Sequence, residues 1–327
     1  MKAVVTGGAG FIGSHLTELL LQEGHEVCVI DSLRSGRLSN LKSLRDHPKL
    51  SFTEADIRDV SKIRPSFVGA DWVFHLAALA DVVPSIQEPR EYFEVNVQGT
   101  FNVIECAKAA AVKRFIYAAS SSCYGMAKSF PTPESAPIQT EYPYALTKVL
   151  GEELVLHWEK VYKMPALSLR LFNVFGPRAR TAGTYGAVFG TFLTQLVHGK
   201  PLTVVGDGTQ TRDFIFVKDV ARAFLMAAAS SCSGEVFNVG SGTPHSINRI
   251  VELLGGDAIN IPKRPGEPDS THADTSKIMQ MLGFKAKTPF EEGVNQLLET
   301  IEEYKMAPLW DAKSIQKATE SWFEYLS

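Results

Sequence analysis

The chain has 327 residues, room for one large or two modest domains around a buried core, and an ordinary globular composition of 45% hydrophobic and 21% charged residues. Its formal net charge of −3, without a long run of like charges, excludes a broad nucleic-acid or anionic-membrane surface and leaves only local basic pockets. The four cysteines form no Cys-x-x-Cys pair, the glycines of MKAVVTGGAGFIG break the opening apolar run, and no apolar stretch reaches membrane length. A soluble cytoplasmic protein with reduced thiols and no metal is expected.

Strands are predicted at Lys2–Thr6, Glu26–Ile30, Leu50–Glu54, Trp72–His75, Arg114–Ala118 and Ala166–Leu171. Most are apolar rather than alternating, the pattern of a sheet covered on both faces. Helices are predicted between them at Phe11–Glu23, Arg90–Ala111 and Pro143–Tyr162. Strand–helix units repeated in this way define an α/β fold with a doubly wound parallel sheet. After Phe172 the rhythm breaks. Gly and Pro crowd Gly176–Gly190, a glycine turn follows at Gly206–Gly208, and Ile261–Pro268 is proline-rich. Two further helices are predicted at Pro289–Tyr304 and Ala312–Leu326. Residues 1–172 are assigned to one domain and 173–327 to a smaller, loop-rich one. Asp213–Val217 and Val236–Val239 are predicted to return to the main sheet, so the boundary is discontinuous. Trp322, Phe323 and Leu326 have the spacing of residues docked on a core.

The first strand runs through Gly7-Gly8-Ala9-Gly10-Phe11-Ile12-Gly13 straight into a helix. Gly7 permits a tight turn, Gly10 lets backbone approach a pyrophosphate, and Gly13 lets helix and strand pack closely. The helix N-terminus offers free N–H groups to phosphates. A plain strand–helix turn would also use such glycines. Asp31 closes the second strand, where a carboxylate accepts from adenosine ribose hydroxyls and repels a 2′-phosphate, favouring NAD over NADP. Arg34 and Arg37 could relieve that repulsion. Ser35 and Gly36 follow Asp31, Asp56 and Ile57 follow the third strand, and Leu76-Ala77-Ala78 follows the fourth. All lie at carboxyl ends of strands, where such sheets bind ligands. Asp56 could equally cap a turn.

Tyr144 and Lys148 lie four apart after Pro143, on one face of the predicted helix. An ammonium beside a phenol lowers its pKa from about 10 toward neutrality, fitting Tyr144 for general acid–base work. A surface tyrosine and lysine would show the same spacing. Ser120-Ser121-Ser122 ends the fifth strand, where small hydroxyls can reach a substrate oxygen or simply make a turn. Glycine loop, terminal aspartate, serine strand end and Tyr/Lys helix, in this order, specify a dinucleotide-binding Rossmann enzyme.

Over nearly its whole length the chain resembles the extended short-chain dehydrogenase/reductases of the NAD-dependent epimerase/dehydratase group. The resemblance implies Ser120 as catalytic hydroxyl, Tyr144 as base and Lys148 as its partner, with Asn96, in Val95-Asn96-Val97, helping to organise the site. It places Asn173, in Phe172-Asn173-Val174, on a nucleotide diphosphate. Arg212 and Arg264 would clamp that diphosphate, a task suited to guanidinium forks, and Glu267 would bind the nucleotide ribose. For each arginine, a surface ion pair is the competing reading.

Dehydratases of this group carry Asp-Glu where Ser121 and Ser122 stand, and its sugar decarboxylases use a Glu in this segment. Their absence implies C4 epimerisation through a 4-keto sugar, most like the UDP-sugar 4-epimerases. Ser121 and Ser122 then face the substrate. Thr271, seven residues after Arg264, stands where relatives that exclude N-acetyl groups have a bulky aromatic residue. Other expectations are a UDP-glucuronate 4-epimerase, a nucleotide-sugar reductase and a non-catalytic NAD-sensing module. The resemblance also implies a homodimer built on the helices around 92–110 and 144–162.

Overall fold

A computed structural model describes residues 1–180, 188–264 and 266–326. Part of the glycine-rich stretch 176–190, and the residue after Arg264, therefore lie outside the described residues.

Seven strands form one parallel sheet: β1 (Lys2–Thr6), β2 (Glu26–Asp31), β3 (Leu50–Glu54), β4 (Trp72–His75), β5 (Arg114–Ser120), β6 (Ala166–Leu171) and, much later in the chain, β10 (Glu235–Val239). Their order is β10-β6-β5-β4-β1-β2-β3, with β1 central. The continuous apolar runs follow from burial on both faces. On β1, Ala3 and Val5 pack with Leu16 and Leu20, whereas Val4 packs through the sheet's other side with Val73 and Val103. The doubly wound architecture is as predicted.

The remaining strands are β7 (Asn173–Phe175), β8 (Leu202–Val205), β9 (Thr211–Phe216), β11 (Pro244–Ser246) and β12 (Ala258–Ile261). They form two small sheets, β11-β9-β7 and β12-β8. Two expectations are corrected here. Of the strands predicted to return to the main sheet, only β10 does so, pairing with β6. The strand at 211–216 pairs with β7 and β11 instead, because Phe214 and Phe216 belong to a separate aromatic core with Phe175, Phe189 and Phe290. The helix Val217–Ala229 that follows does return, setting Val220, Phe224 and Ala227 on the main core.

The helix predicted over 90–111 is three pieces, Pro89–Phe93, a π-helical turn Glu94–Gln98, and Gly99–Ala109. Such turns are frequent at functional sites, and this one carries Asn96. The final helix is also broken, into Ala312–Ala318 and Glu320–Tyr325 at the buried Thr319. There Trp322 is buried while Phe323 is exposed, so the predicted docking holds for the indole and not for Phe323. No described helix is long and apolar enough to cross a membrane.

Candidate active site

The carboxyl ends of β1, β2, β4 and β5 open into a cavity of about 590 Å³ that extends to residues of the second half. Its floor starts at the glycine loop. Gly7 has φ +72°, which L side chains rarely adopt, and a Cβ there would lie 2.7 Å from the Ala77 nitrogen. A Cβ at Gly13 would lie 2.1 Å from the Gly7 carbonyl oxygen, so only glycine lets the helix Phe11–Gln22 start against the loop. That helix has no side-chain cap, and Gly7, Gly10, Phe11, Ile12 and Gly13 around its start line the cavity.

Asp31 is buried at the end of β2, and its two carboxylate oxygens accept from the N–H groups of Ala9 (3.0 Å) and Leu33 (2.8 Å). Each oxygen keeps a lone pair for a hydroxyl. Burial raises its pKa against the pull of those two N–H groups. A Cβ on Gly36 would fall 2.6 Å from Asp31 Oδ1, so Gly36 makes room for this carboxylate without lining the cavity. Arg34 forms a bidentate pair with Glu91, and Arg37 donates to Asn40 Oδ1 and the Ala179 carbonyl. Both are engaged by protein groups. Ser35, Ile57, Leu76, Ala77 and Ala78 line the cavity. Asp56 lines it too, but its carboxylate is held by Arg58 (2.7 and 3.0 Å), which lowers its pKa.

The catalytic candidates meet on the other side of the floor. Pro143 opens the helix Pro143–Tyr162, which buries Lys148, Gly151, Glu152 and Val155 against the sheet. Tyr144 and Lys148 both line the cavity. Burial raises the pKa of the Tyr144 phenol, and the Ser120 hydroxyl opposes it by favouring the ionised form. Burial also pushes Lys148 down to about 7, with Glu152 opposing. The expected drop of the phenol toward neutrality is thus not produced by the protein's own groups, because desolvation acts on both partners. The Lys148 ammonium stands 4.4 Å from the centre of the Tyr117 ring, packed beneath Gly151. Ser122 donates to Ser120 Oγ (2.8 Å), and the Tyr142 ring lies parallel to that of Tyr144 at 6.4 Å. Ser121 begins the short turn after β5.

Asn96 does not line the cavity. Its Oδ1 accepts from Leu79 N (2.8 Å), and its Nδ2 donates to Leu79 O (2.9 Å) and Thr147 Oγ1 (3.0 Å). It therefore ties the loop after β4 to the helix that carries Tyr144 and Lys148.

The substrate candidates gather around Glu267. Arg212 is buried and donates to Glu267 Oε1 (3.0 Å), and Arg264 lies 3.7 Å from Oε2. Glu267 Oε2 is itself buried without a hydrogen-bond partner among the described residues. Arg212 and Glu267 line a second cavity of about 410 Å³. Thr271 lines neither cavity: its hydroxyl donates to Asn173 Oδ1 (2.9 Å) and accepts from Asp213 N (3.2 Å). Asp81 and Arg180 pair at 2.5 Å beside the first cavity. Sequence reasoning missed these two, and also Tyr142, Pro308 and Trp310; only Tyr142, flanking the Pro143-Tyr144 pair, carried a local signal.

The model of the NAD dependent epimerase/dehydratase family matches residues 3–240. A UDP-glucose 4-epimerase of Mycolicibacterium smegmatis is 34% identical over 313 residues, covering 91% of this chain and 98% of the relative. Among solved structures, a UDP-N-acetylglucosamine 4-epimerase from Methanobrevibacter ruminantium, in complex with UDP-N-acetylmuramic acid, superposes with a TM-score of 0.88. It is 33% identical and covers 92% of this chain and 98% of its own. A UDP-glucuronic acid 4-epimerase from Bacillus cereus, with UDP-glucuronic acid and NAD, is also 33% identical, with a TM-score of 0.85 and 93% and 99% covered. The chain belongs to the NAD-dependent epimerase/dehydratase family. It is a nucleotide-sugar 4-epimerase that uses NAD.

Proposed function

We propose that the chain interconverts the C4 epimers of a UDP-hexose or UDP-N-acetylhexosamine, with Ser120, Tyr144 and Lys148 as its catalytic groups. The observation that carries this is that Tyr144 and buried Lys148 line the same cavity as the glycine loop and Asp31, one helical turn apart on the helix that follows Ser120. Gly7, Gly10, Gly13 and Asp31 would hold NAD, whose bound nicotinamide supplies redox capacity at C4 and a positive charge beside the phenol. Tyr144 removes the O4 proton and later returns it to O4, after the keto sugar has turned to present the other face of C4. Ser120 orients O4 through its hydroxyl, while Lys148 keeps a cation under the site. Arg212 and Arg264 hold the diphosphate as the 4-keto sugar turns, and Asn173 supports it. Glu267 offers its unpaired oxygen to a ribose hydroxyl.

The test is to incubate the holoenzyme, without added cofactor, with UDP-glucose, UDP-N-acetylglucosamine and UDP-glucuronate, and to resolve the C4 epimers. An equilibrium mixture from at least one is expected, with no net change in cofactor. Stoichiometric consumption of added NADH would instead identify a reductase. Retained NAD with no turnover would identify a sensing module.

Residues 1–172 with the returning strand β10 would form the cofactor unit, and most of 173–327 the sugar unit. A homodimer is supported by exposed Phe93, Phe101, Leu146, Val161 and Tyr162 on the helices around 92–110 and 144–162. Leu146→Glu should halve the mass seen by light scattering.

A further inference from the structure

The fifth strand does not end in a loose loop. Ser120 is its last residue, paired with Leu171 of β6, and a single tight turn, Ser121–Tyr124, follows it. Cys123 and Tyr124 are buried, and the Gln139 N–H donates to the Cys123 carbonyl (2.8 Å). Gly125 closes the turn at φ +51°, where a Cβ would lie 2.2 Å from the Gln139 carbonyl oxygen. The backbone that carries Ser122 is therefore anchored on both sides.

Ser122 turns back on Ser120 with two donors. Its hydroxyl lies 2.8 Å and its backbone nitrogen 3.2 Å from Ser120 Oγ, and both donate to it. A serine oxygen has two acceptor positions and one proton. With both positions filled from Ser122, what remains at Ser120 is the proton, which can only be given away. The Ser120 hydroxyl accordingly favours the ionised form of Tyr144, as a donor does. Ser122 directs its own single proton at Ser120 and has none to offer a sugar. The substrate contact implied for Ser122 by the family resemblance becomes a contact to the catalytic hydroxyl.

We propose that Ser122 is a positioning residue for the epimerisation: by occupying both acceptor positions of Ser120, it fixes that hydroxyl as a donor, never an acceptor, toward the reacting oxygens. This role rests on the reading of Ser120 as the catalytic hydroxyl. It also sets the route of the proton. A relay must accept a proton before passing one on, and Ser120 has no acceptor position left, so O4 gives its proton to Tyr144 directly. When the 4-keto sugar forms, its carbonyl oxygen meets a donor already aimed, with no hydroxyl rotation needed first.

The test is a double-mutant cycle of Ser120→Ala and Ser122→Ala in the holoenzyme. It is read as kcat and KM on whichever of UDP-glucose and UDP-N-acetylglucosamine turns over faster. Alone, Ser122→Ala should lower kcat about three- to tenfold, the worth of one hydrogen bond. KM for the UDP-hexose and the content of bound NAD should move less than about twofold. Ser122→Thr, which keeps the hydroxyl, should recover most of the loss. In the Ser120→Ala background, adding Ser122→Ala should lower kcat no further, because Ser122 acts only through Ser120. An unchanged kcat for Ser122→Ala would overturn the proposal. A loss of the same size in both backgrounds, or one carried by KM, would overturn it too and would put Ser122 on the sugar itself. Should Ser122→Ala fail to fold, Ser122→Cys keeps the shape with a weaker donor and carries the same cycle, equal losses in both backgrounds again overturning it. Near-normal turnover of Ser120→Ala overturns the reading of Ser120 instead.

Discussion

The two halves of the cleft are built from different materials. On the cofactor side the ligand surface is mostly backbone, a glycine turn at φ +72°, an uncapped helix start, and one carboxylate pinned by two N–H groups. On the sugar side it is side chains from segments far apart in sequence, held in place by one another. Arg212 and Arg264 share Glu267, and Thr271 bonds Asn173 across 98 residues. A backbone site tolerates almost no added volume, and its dependence on charge is confined to Asp31. A side-chain site should show the reverse.

Tyr144 stands where the halves meet, and changing it should have the largest effect of all. Tyr144→Phe is expected to lower turnover by roughly 10²–10⁴-fold, the usual worth of a positioned acid–base group. Bound NAD and the unfolding temperature should stay near wild type, since the ring and its stacking on Tyr142 are kept. Near-normal turnover on the best UDP-hexose would remove Tyr144 from the mechanism.

The contrast itself is tested by a crossed pair. Gly13→Ala puts a Cβ 2.1 Å from the Gly7 carbonyl, a backbone atom that cannot swing away. Overpacking of this kind typically costs about 1–3 kcal/mol, and NAD content and unfolding temperature should both fall. Arg212→Ala removes a charge-assisted contact, typically about 1.5–3 kcal/mol. UDP-sugar affinity should drop about tenfold to a hundredfold, with NAD content unchanged. If both variants lose both ligands in equal measure, the two halves are not independent and the comparison fails.

The same difference explains what could be read from the chain alone. The glycine loop, Asp31 and the Tyr144/Lys148 pair are contiguous or helically spaced, so physical rules about turns and helix faces reach them. Five of the six early strands were legible because burial on both faces leaves an apolar signature; β3, at the sheet edge, has no buried residue and carries that signature weakly. Arg212, Arg264, Glu267 and Thr271 carry no local pattern, and only the family resemblance pointed to them. The strand at 211–216 was assigned to the wrong sheet because Phe214 and Phe216 are as apolar as any main-sheet strand, and nothing local reveals a second aromatic core. The π-helical turn that aims Asn96 was invisible for a related reason: one extra residue in a helical turn leaves an amphipathic pattern almost unchanged.

Lys148 provides a smaller effect with a defined sign. In the unfolded chain a lysine titrates near about 10.4, whereas burial pushes Lys148 down to about 7. Between these values the unfolded state binds a proton that the folded state does not, so stability should rise with pH across that window. Below about pH 7 both states are protonated and the penalty of burying the ammonium is complete. Lys148→Met should therefore be more stable than wild type at pH 6, and its advantage should shrink steadily toward pH 9. Unfolding midpoints measured across this range decide it. A difference that does not change with pH would mean that the ammonium is solvated.

The smallest effect belongs to Thr271, and it sharpens the comparison most, because a residue of the proposed sugar side that lines neither cavity should still act through its neighbours. Its hydroxyl gives one hydrogen bond to Asn173 and takes one from the Asp213 backbone. Thr271→Val keeps the shape and removes both bonds, a change of about 0.5–1.5 kcal/mol for each. Asn173 then loses the bond that holds its side chain, and, with Asn173 on the diphosphate as proposed, kcat/KM should fall about two- to tenfold for every UDP-hexose alike. The ratio between N-acetylated and plain sugars should not move. Thr271→Tyr separates this from a steric role. If the small side chain keeps space open beside the sugar's C2, a phenol there blocks an acetamido group and spares a hydroxyl, shifting the ratio toward UDP-glucose. Because the hydroxyl is tied on both sides and lines neither cavity, the expected result is a uniform loss instead. A clear shift would mean that residue 271 reaches the sugar directly, and that this side of the cleft selects its substrate by volume as well as by charge.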